Sequence, residues 1–566
     1  MLERLWTHLL HLAGRGAIAV PLVVALLGAP GAPPLYAHTP RPKIAPGLQA
    51  RTLTDPLRLQ PIIIQMQPAS LPFASAQNDV LAQQAASLLQ SYGVLVGTLP
   101  IIDGAAGWAN SAAITALSLL PQVAEVDLDA IVSPQKPTSS GTPLPPGQVD
   151  SMYVHEVNAD QVRQQGDSGQ GVTVAVLDSG VAADADLTQN GNRILAHASF
   201  AGPPDPQHPD PGGHGTHIAG IVAGDGAKSG GQYPGIAPYA NIVDVQVLDA
   251  NGNGRVSSIL AGLDWVLVNQ KQYNIRVVNL SLGALPLTSY KTDPLAAGVE
   301  MAWRHGLVVV CAAGNGGPAS GTVVSPGIDP YVITVGSTDD QTTPQLSDDT
   351  VGWWSAWGQP PNSTAKPDIV APGRRLVSLR VPGSSLDQLL PDHVVPANNG
   401  TSYFRLTGTS MSTGVVSGLV ALLLERQPNL DPDQVKKVVM STTQPFGQNA
   451  PAPPAGSIGA GLTDAYHATF GTPSGRANGG QRQANGLAMT LYPMLYGKPL
   501  TLLSGGLVNW TNIAWDNIAW DNIAWDNIAW DNIAWDNIAW DNIAWDNIAW
   551  DQSGWDNIAW DNIAWD

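Results

Sequence analysis

A single cysteine in 566 residues rules out an internal disulfide, so packing, bound ions or partners must stabilise the chain. That residue, Cys311, sits in the apolar segment 307–313 and reads as a small buried hydrophobe outside any chemistry. Basic residues are also scarce: 26 Lys and Arg against 45 Asp and Glu leave a net charge of −19. Binding a phosphate backbone needs clustered cations, and their absence excludes nucleic acid as a partner. A long hydrophobic run is missing too. The apolar stretch 16–28 contains Pro21 and is too short to cross about 30 Å of hydrocarbon. With Arg4 and Arg15 ahead of the apolar stretch and Leu35-Tyr36-Ala37 behind it, residues 1–37 have the anatomy of a secretory signal peptide cleaved near Ala37. That predicts a secreted chain, extracellular or associated with the cell surface.

What is present is an ordered set of three short segments. Val176-Leu177-Asp178-Ser179-Gly180, Gly213-His214-Gly215-Thr216-His217 and Leu406-Thr407-Gly408-Thr409-Ser410-Met411-Ser412 supply an acid, a base and a nucleophile. A serine hydroxyl is a poor nucleophile near neutral pH until an imidazole takes its proton. The imidazole in turn needs a carboxylate to fix its tautomer and stabilise the cation. Asp178, His214 and Ser410 are the residue types for those roles. Singly, each segment reads as a common turn or helix start; in this order they point to nucleophilic catalysis. Residues 172–177 are apolar and β-branched without alternation, as in a strand buried on both faces of a parallel sheet. Asp178 follows at the carboxyl end, where open α/β sheets build their sites. Residues 215–223 and 411–424 are rich in small and apolar side chains and long enough for buried helices starting at His214 and Ser410.

These stretches resemble the subtilisin-like serine proteases, or subtilases, over roughly residues 150–470. Val174-Ala175-Val176-Leu177-Asp178-Ser179-Gly180-Val181 looks like the family's Asp strand, and His214-Gly215-Thr216-His217-Ile218-Ala219-Gly220 like its His helix. Val278-Asn279-Leu280-Ser281-Leu282-Gly283 is similar to the substrate-binding strand, and Ala312-Ala313-Gly314-Asn315 to the oxyanion segment. Lys366-Pro367-Asp368-Ile369-Val370-Ala371-Pro372-Gly373 is similar to the turn before the Ser region. The resemblance implies an α/β, three-layer fold over residues 151–471, with a mainly parallel central sheet flanked by helices. It implies protein or peptide substrates, held by Ser281, Leu282, Gly283 and Gly314. Asn315 would be the amide donor to the oxyanion; losing such a donor costs about 100- to 1,000-fold in turnover, a magnitude that comes from subtilisin itself. After Met411 the chain departs from the family. Ser412-Thr413-Gly414-Val415-Val416-Ser417-Gly418 stands where Ala-Thr-Pro-His-Val-Ala-Gly is usual, and glycine for proline early in a helix adds backbone freedom. The implied chemistry needs no cofactor. Asp186 matches a position that binds structural calcium in some family members, but 225–235 does not match the companion ligands, and one carboxylate is not a site.

Residues 58–133 alternate strand-like 62–64, helical 79–90, strand-like 94–96, helical 111–120 and strand-like 123–127. This resembles the inhibitory propeptide of subtilases, which makes the chain's own N-terminal segment an expected partner of the catalytic domain. The Pro-rich stretch 134–150 reads as the cleavable connection. Within the catalytic region, strands are expected at 242–248, 277–280 and 307–312, and helices at 257–270 and 294–304. Asp431-Pro432-Asp433-Gln434 carries a capping box with proline at the first helical position. The Gly-rich, polar sequence 472–511 reads as a linker.

The tail repeats Asn-Ile-Ala-Trp-Asp ten times between Asn512 and Asp566, interrupted once by Gln552-Ser553-Gly554-Trp555-Asp556, with eleven aspartates and no basic residue. A five-residue step turns a helix by about 140° and alternates faces along a strand, so neither aligns the tryptophans. What remains is a solenoid of stacked units or a poorly ordered tract whose Trp and Ile suit contact with a cell surface, a glycan or another tail. The expectation is a secreted serine endopeptidase made as a preproenzyme. The competing class, a surface-binding protein with an inactive protease-like domain, is disfavoured by the presence of Asp178, His214, Ser410 and Asn315 together. Metal chemistry from His214 and His217 lacks the acidic partner of a His-Glu-x-x-His helix.

Overall fold

The computed structural model describes residues 43–67, 80–134, 152–202, 207–341, 343 and 345–481. The expected leader, nearly all of the Pro-rich connection and the repeat tail lie outside the described residues.

Residues 43–134 form a small α+β unit. Its antiparallel sheet has the order Val94–Leu99, Gly104–Ala109, Gln60–Met66, Val123–Leu128, and the helices Val80–Tyr92 and Ser111–Ser118 share its core. The run Ile62-Ile63-Ile64 does not alternate with polar residues because both faces of its strand are covered. Ile62 and Ile64 pack in this unit's own core, while Ile63 points the other way and joins the core of the larger domain, along with Leu99, Ile101 and Ala106. The unit also reaches further back than residue 58. Helix Pro46–Thr54 buries Leu48 in the same core, and Ala45 N–H donates to Val126 O at 3.0 Å.

The larger domain is built on an eight-stranded sheet. Thr173–Asp178 lies between Asn241–Gln246 and Ile275–Leu280, and parallel pairing continues outward to Ile194–Ser199 on one side. On the other it continues to Val308–Ala312, Ile333–Asp339 and Ile369–Pro372. Among the described residues of this sheet, only the two-residue strand Thr350–Val351 runs antiparallel. Every residue of Thr173–Asp178 is buried, which explains its unbroken apolar run, and Asp178 closes the strand as its last residue. Helix Thr409–Arg426 is buried from Thr409 through Leu424, so it is covered on every side and carries no amphipathic stripe. It packs on helix His214–Ala223, and the closeness of that contact explains Gly414: a Cβ there would lie 3.1 Å from Ile221 Cγ2. The glycine expected to loosen the helix sits where it packs closely on its neighbour.

Helices Val256–Asn269 and Pro294–Arg304 occur where expected, within a residue at each end. The capping box is formed: Asp431 Oδ1 accepts from Gln434 N–H, and Gln434 Oε1 accepts from Asp431 N–H, both at 3.1 Å. The first ten residues of the sequence read as linker are instead attached to this domain. Arg476 pairs with Asp431 at 2.5 Å, Asn478 donates to Tyr331 O and Asp433 Oδ1 at 3.0 and 2.8 Å, and Tyr331 Oη–H donates to Gln481 O at 2.7 Å. Single polar side chains and the backbone bond from Ala477 N–H to Asp433 O make that attachment, and composition does not reveal them.

Candidate active site

The end of strand Thr173–Asp178 and the start of helix His214–Ala223 meet because Gly215 has no side chain. A Cβ there would lie 2.2 Å from Gly180 O. His214 Nδ1 is 2.8 and 2.9 Å from the two Asp178 carboxylate oxygens, and the two side chains are 2% and 0% exposed. That bond makes Nδ1 the donor and leaves Nε2 as the basic nitrogen; among the described residues no hydrogen-bond partner meets Nε2. Behind this pair lies Asp210, a carboxylate the sequence analysis did not find. It accepts from Ser179 Oγ (2.7 Å), Gly213 N (2.7 Å), Thr216 N (2.8 Å) and Thr216 Oγ1 (2.6 Å), and so fixes the turn entering the His helix. Burial acts to lower the basicity of His214, but Asp178 and then Asp210 outweigh it and hold the imidazole above its ordinary value of 6.5.

A base must be neutral to take a proton, so the acid limb of kcat/KM is expected above pH 6.5. Asp210→Asn removes a charge that raises His214 and is expected to move that limb to lower pH; a limb that stays put in the variant's pH profile would show that the Asp210 charge does not reach the imidazole.

Ser410 is the second residue of helix Thr409–Arg426. Its Oγ donates to Ser281 O at 3.0 Å, and Ser281 Oγ donates back to Ser410 O at 2.9 Å. The chain of bonds continues inward: Asn279 Nδ2 donates to Ser281 Oγ, and Ser417 Oγ to Asn279 Oδ1, both at 2.9 Å. All four residues are fully buried, so the strand expected to hold substrate is stitched to the first turn of helix Thr409–Arg426. Asn279 and Ser417 were not singled out from sequence. Ser417 is one of five hydroxyl residues in the buried helix, so its type alone gave no signal.

Asn315 follows strand Val308–Ala312, past Gly314 at φ +109°. Its Oδ1 accepts from Thr409 N and Thr409 Oγ1, both at 3.0 Å, and Gly314 N donates to Thr409 Oγ1 at 3.2 Å. With the amide oxygen thus occupied, Nδ2 lies over Gly408, where a Cβ would approach it to 2.8 Å. The structure thus joins Asp178 to His214, Ser410 to Ser281, and Gly314 and Asn315 to Thr409, the residue before Ser410. Leu282 and Gly283 follow Ser281 as a short strand, paired antiparallel with Ile131–Pro134 of the N-terminal unit: Leu282 lies opposite Pro134, and Gly283 opposite Ser133. The other edge of Ile131–Pro134 pairs with Gly254–Arg255. Just upstream, Asp129 accepts from Ser257 N (2.9 Å) and Ser257 Oγ (2.8 Å), supplying from outside an acidic cap that the start of helix Val256–Asn269 does not make for itself.

Residues 169–471 match the subtilase family, Peptidase S8. The chain belongs to the subtilases. It is 41% identical over 313 residues to the serine protease AprX of Bacillus subtilis, a match covering 54% of this chain and 67% of that protein. It is 34% identical over 316 residues to subtilisin Savinase of Lederbergia lenta, covering 56% and 97%. The crystal structure of fervidolysin from Fervidobacterium pennivorans, a keratinolytic enzyme related to subtilisin, matches in fold with a TM-score of 0.55 at 24% identity, covering 74% of this chain and 61% of that one. Together these make the chain a subtilisin-like serine endopeptidase with a mainly parallel central sheet, acting on proteins or peptides.

In this subtilase the second histidine of the His helix has no part in the site chemistry. His217 is fully buried, its Nε2 lies 3.1 Å from Phe404 O, and burial followed by the nearby His214 lowers its pKa to about 3. It is neutral at any working pH. Among the described residues no three His, Cys, Asp or Glu side chains are grouped so as to hold a metal ion.

Proposed function

We propose that this subtilase cleaves peptide bonds through Asp178, His214 and Ser410, and that residues 43–134 restrain it until they are cut away outside the cell. The observation that carries the reading is His214, with Nδ1 held by Asp178 and Nε2 left for a proton. In the first step Ser410 Oγ turns from Ser281 O toward Nε2, gives up its proton and bonds to the substrate carbonyl carbon. The carbonyl electrons move onto oxygen, where Asn315 Nδ2 and the N–H groups of the first turn of helix Thr409–Arg426 meet the charge. Collapse breaks the C–N bond, and the proton on Nε2 leaves with the amine. Water then gives a proton to Nε2 while its oxygen bonds to the acyl carbon. Collapse frees Ser410 Oγ, which takes the proton back.

The seat of Ile131–Pro134 supports the restraint. A substrate read as an added strand needs the free edge of Leu282–Gly283, and the chain's own segment lies along it. Reading by backbone hydrogen bonds favours broad side-chain tolerance. The full-length chain is expected to hydrolyse casein after a lag that ends as a cut appears between 134 and 152. Asp129→Ala, which takes the cap from Ser257, should shorten that lag. Full activity from the outset with residues 43–134 still attached would overturn the restraint and leave the catalytic half of the reading standing.

A further inference from the structure

The residue at which the resemblance places calcium is Asp186, which is fully buried. Its surroundings decide whether an ion fits. Asp186 Oδ1 accepts from Lys228 N–H at 2.6 Å, and Oδ2 accepts from Tyr403 Oη–H at 2.6 Å. Two further carboxylates stand close by. Asp184 Oδ1 accepts from Asp186 N–H at 3.0 Å, and Asp184 Oδ2 lies 2.5 Å from Lys228 Nζ. Asp225 Oδ1 accepts from Ala227 N–H, and its Oδ2 from Asn190 Nδ2, both at 2.9 Å. All six carboxylate oxygens therefore already have a donor from the chain itself. The carbonyls are taken as well: Asp186 O accepts from Arg193 Nη2 at 2.5 Å and Asp225 N at 3.0 Å, and Lys228 O accepts from Asn399 Nδ2 at 2.8 Å and Thr401 Oγ1 at 3.0 Å. Calcium takes six to eight oxygens at about 2.3–2.6 Å, and none of these oxygens stands free for it.

We infer that this subtilase supplies its own cation at this corner: Lys228, backed by Arg193, is a built-in counter-charge to Asp184, Asp186 and Asp225 and replaces a bound metal ion. Lys228 Nζ lies 4.8 Å from the centre of the Tyr403 ring as well as against Asp184, so the ammonium joins the loop after the Asp strand to the strand Ser402–Leu406. Arg193 Nη2 is 3.7 Å from Asp225 Oδ2, and Nη1 donates to Ala223 O and Ala240 O at 2.7 and 2.9 Å. Two fixed cations face three carboxylates, where a metal site would leave the carboxylates for the ion to neutralise. A side-chain ammonium is covalently attached, so no chelator removes it.

The test is thermal unfolding of the full-length chain carrying Ser410→Ala, which prevents self-cleavage from distorting the melt, in EDTA and in millimolar calcium. The parent is expected to melt at the same temperature in both. Lys228→Met, which keeps the stem and loses the charge, is expected to melt several degrees lower in EDTA and to recover part of the loss in calcium, because the carboxylates it exposes can then recruit the ion. Should that variant fail to fold, Tyr403→Phe, which frees only Asp186 Oδ2, is expected to show a smaller calcium response in the same direction. A parent that loses stability in EDTA and regains it in calcium as much as Lys228→Met does would overturn the inference, and so would a Lys228→Met melt unmoved in either solution.

Discussion

Ser410→Ala is expected to abolish casein hydrolysis and labelling by a serine-directed fluorophosphonate, and to leave the chain uncut between 134 and 152. The expected loss in kcat is roughly a million-fold, a magnitude carried over from subtilisin. It is this large because the three residues act as one unit: without Oγ there is nothing for His214 to deprotonate, and the fixed tautomer loses its purpose. The fold should survive. The bond given up is the one from Oγ to Ser281 O at 3.0 Å, worth about 1 kcal/mol, so circular dichroism and the melting temperature should stay near those of the parent. A variant that still cleaves would move the nucleophile elsewhere. A folded wild type, freed of residues 43–134, that neither labels nor cleaves would sink the catalytic reading and favour a surface-binding protein.

Removing Asp368 is expected to produce the largest loss of stability. The Lys366-Pro367-Asp368 motif places a lysine and its counter-ion in the interior, and a second lysine arrives from helix Pro432–Ser441. Asp368 Oδ2 is 2.7 Å from Lys366 Nζ, and Oδ1 is 3.0 Å from Lys436 Nζ, with Lys366 0% and Lys436 3% exposed. Burial pushes the Asp368 carboxyl up, but the two ammonium groups outweigh it and hold it below the ordinary carboxylate range. Burial, followed by the charge of Lys366, lowers Lys436 to about 8 against the pull of Asp368. Asp329 is also near, and burial raises its pKa to about 6, so at pH 7 it is largely ionised and offsets part of the lost charge. Asp368→Ala leaves two buried cations facing each other and is expected to cost about 3–5 kcal/mol, measured by urea unfolding at pH 7.

The pH dependence of that loss separates charge from packing. Asp368, with a depressed folded pKa, contributes stability above its unfolded value of 3.8, and the contribution is lost as pH falls through the folded value. Lys436 works on the alkaline side. Between about 8 and 10.5 the unfolded chain binds more protons at this lysine than the folded one, so its contribution makes stability rise with pH across that window. Without Asp368 the lysine is held still lower, the rise steepens, and the gap between variant and parent should narrow from pH 7 to pH 10. A gap of equal size at both pH values would mean that the cost is a cavity.

The parts of the site legible in sequence share one physical property: their chemistry or their burial is written locally. Strand Thr173–Asp178 is apolar throughout because both its faces are covered. His214 opens a run of small and apolar residues that reads as a buried helix, and Asp431 with Gln434 closes a box within one turn. The parts missed depend on partners far apart in the chain. Asp210 is a common residue type until Ser179 and Thr216 are folded against it. Ser417 gains a role only through Asn279, 138 residues earlier, and Asp129 only through Ser257, 128 residues later. The helix at residues 46–54 went unmarked, and residues 472–481 read as linker, because one buried leucine, a few backbone bonds to distant segments and single polar side chains hold them, and composition does not register such contacts.

Asp186 marks the boundary between the two kinds of information. The sequence by itself determined the family, the order of the segments carrying Asp178, His214 and Ser410, and the burial of the strand and helices that hold them, since those follow from residue type and hydrophobic pattern over short spans. Only the tertiary structure decided that Lys228 and Tyr403 close around Asp186, and that Ile131–Pro134 lies along Leu282–Gly283. An ion pair 44 residues apart and backbone hydrogen bonds between distant strands leave no periodic trace in the chain, because they depend on where the fold brings groups together and not on which residues are neighbours.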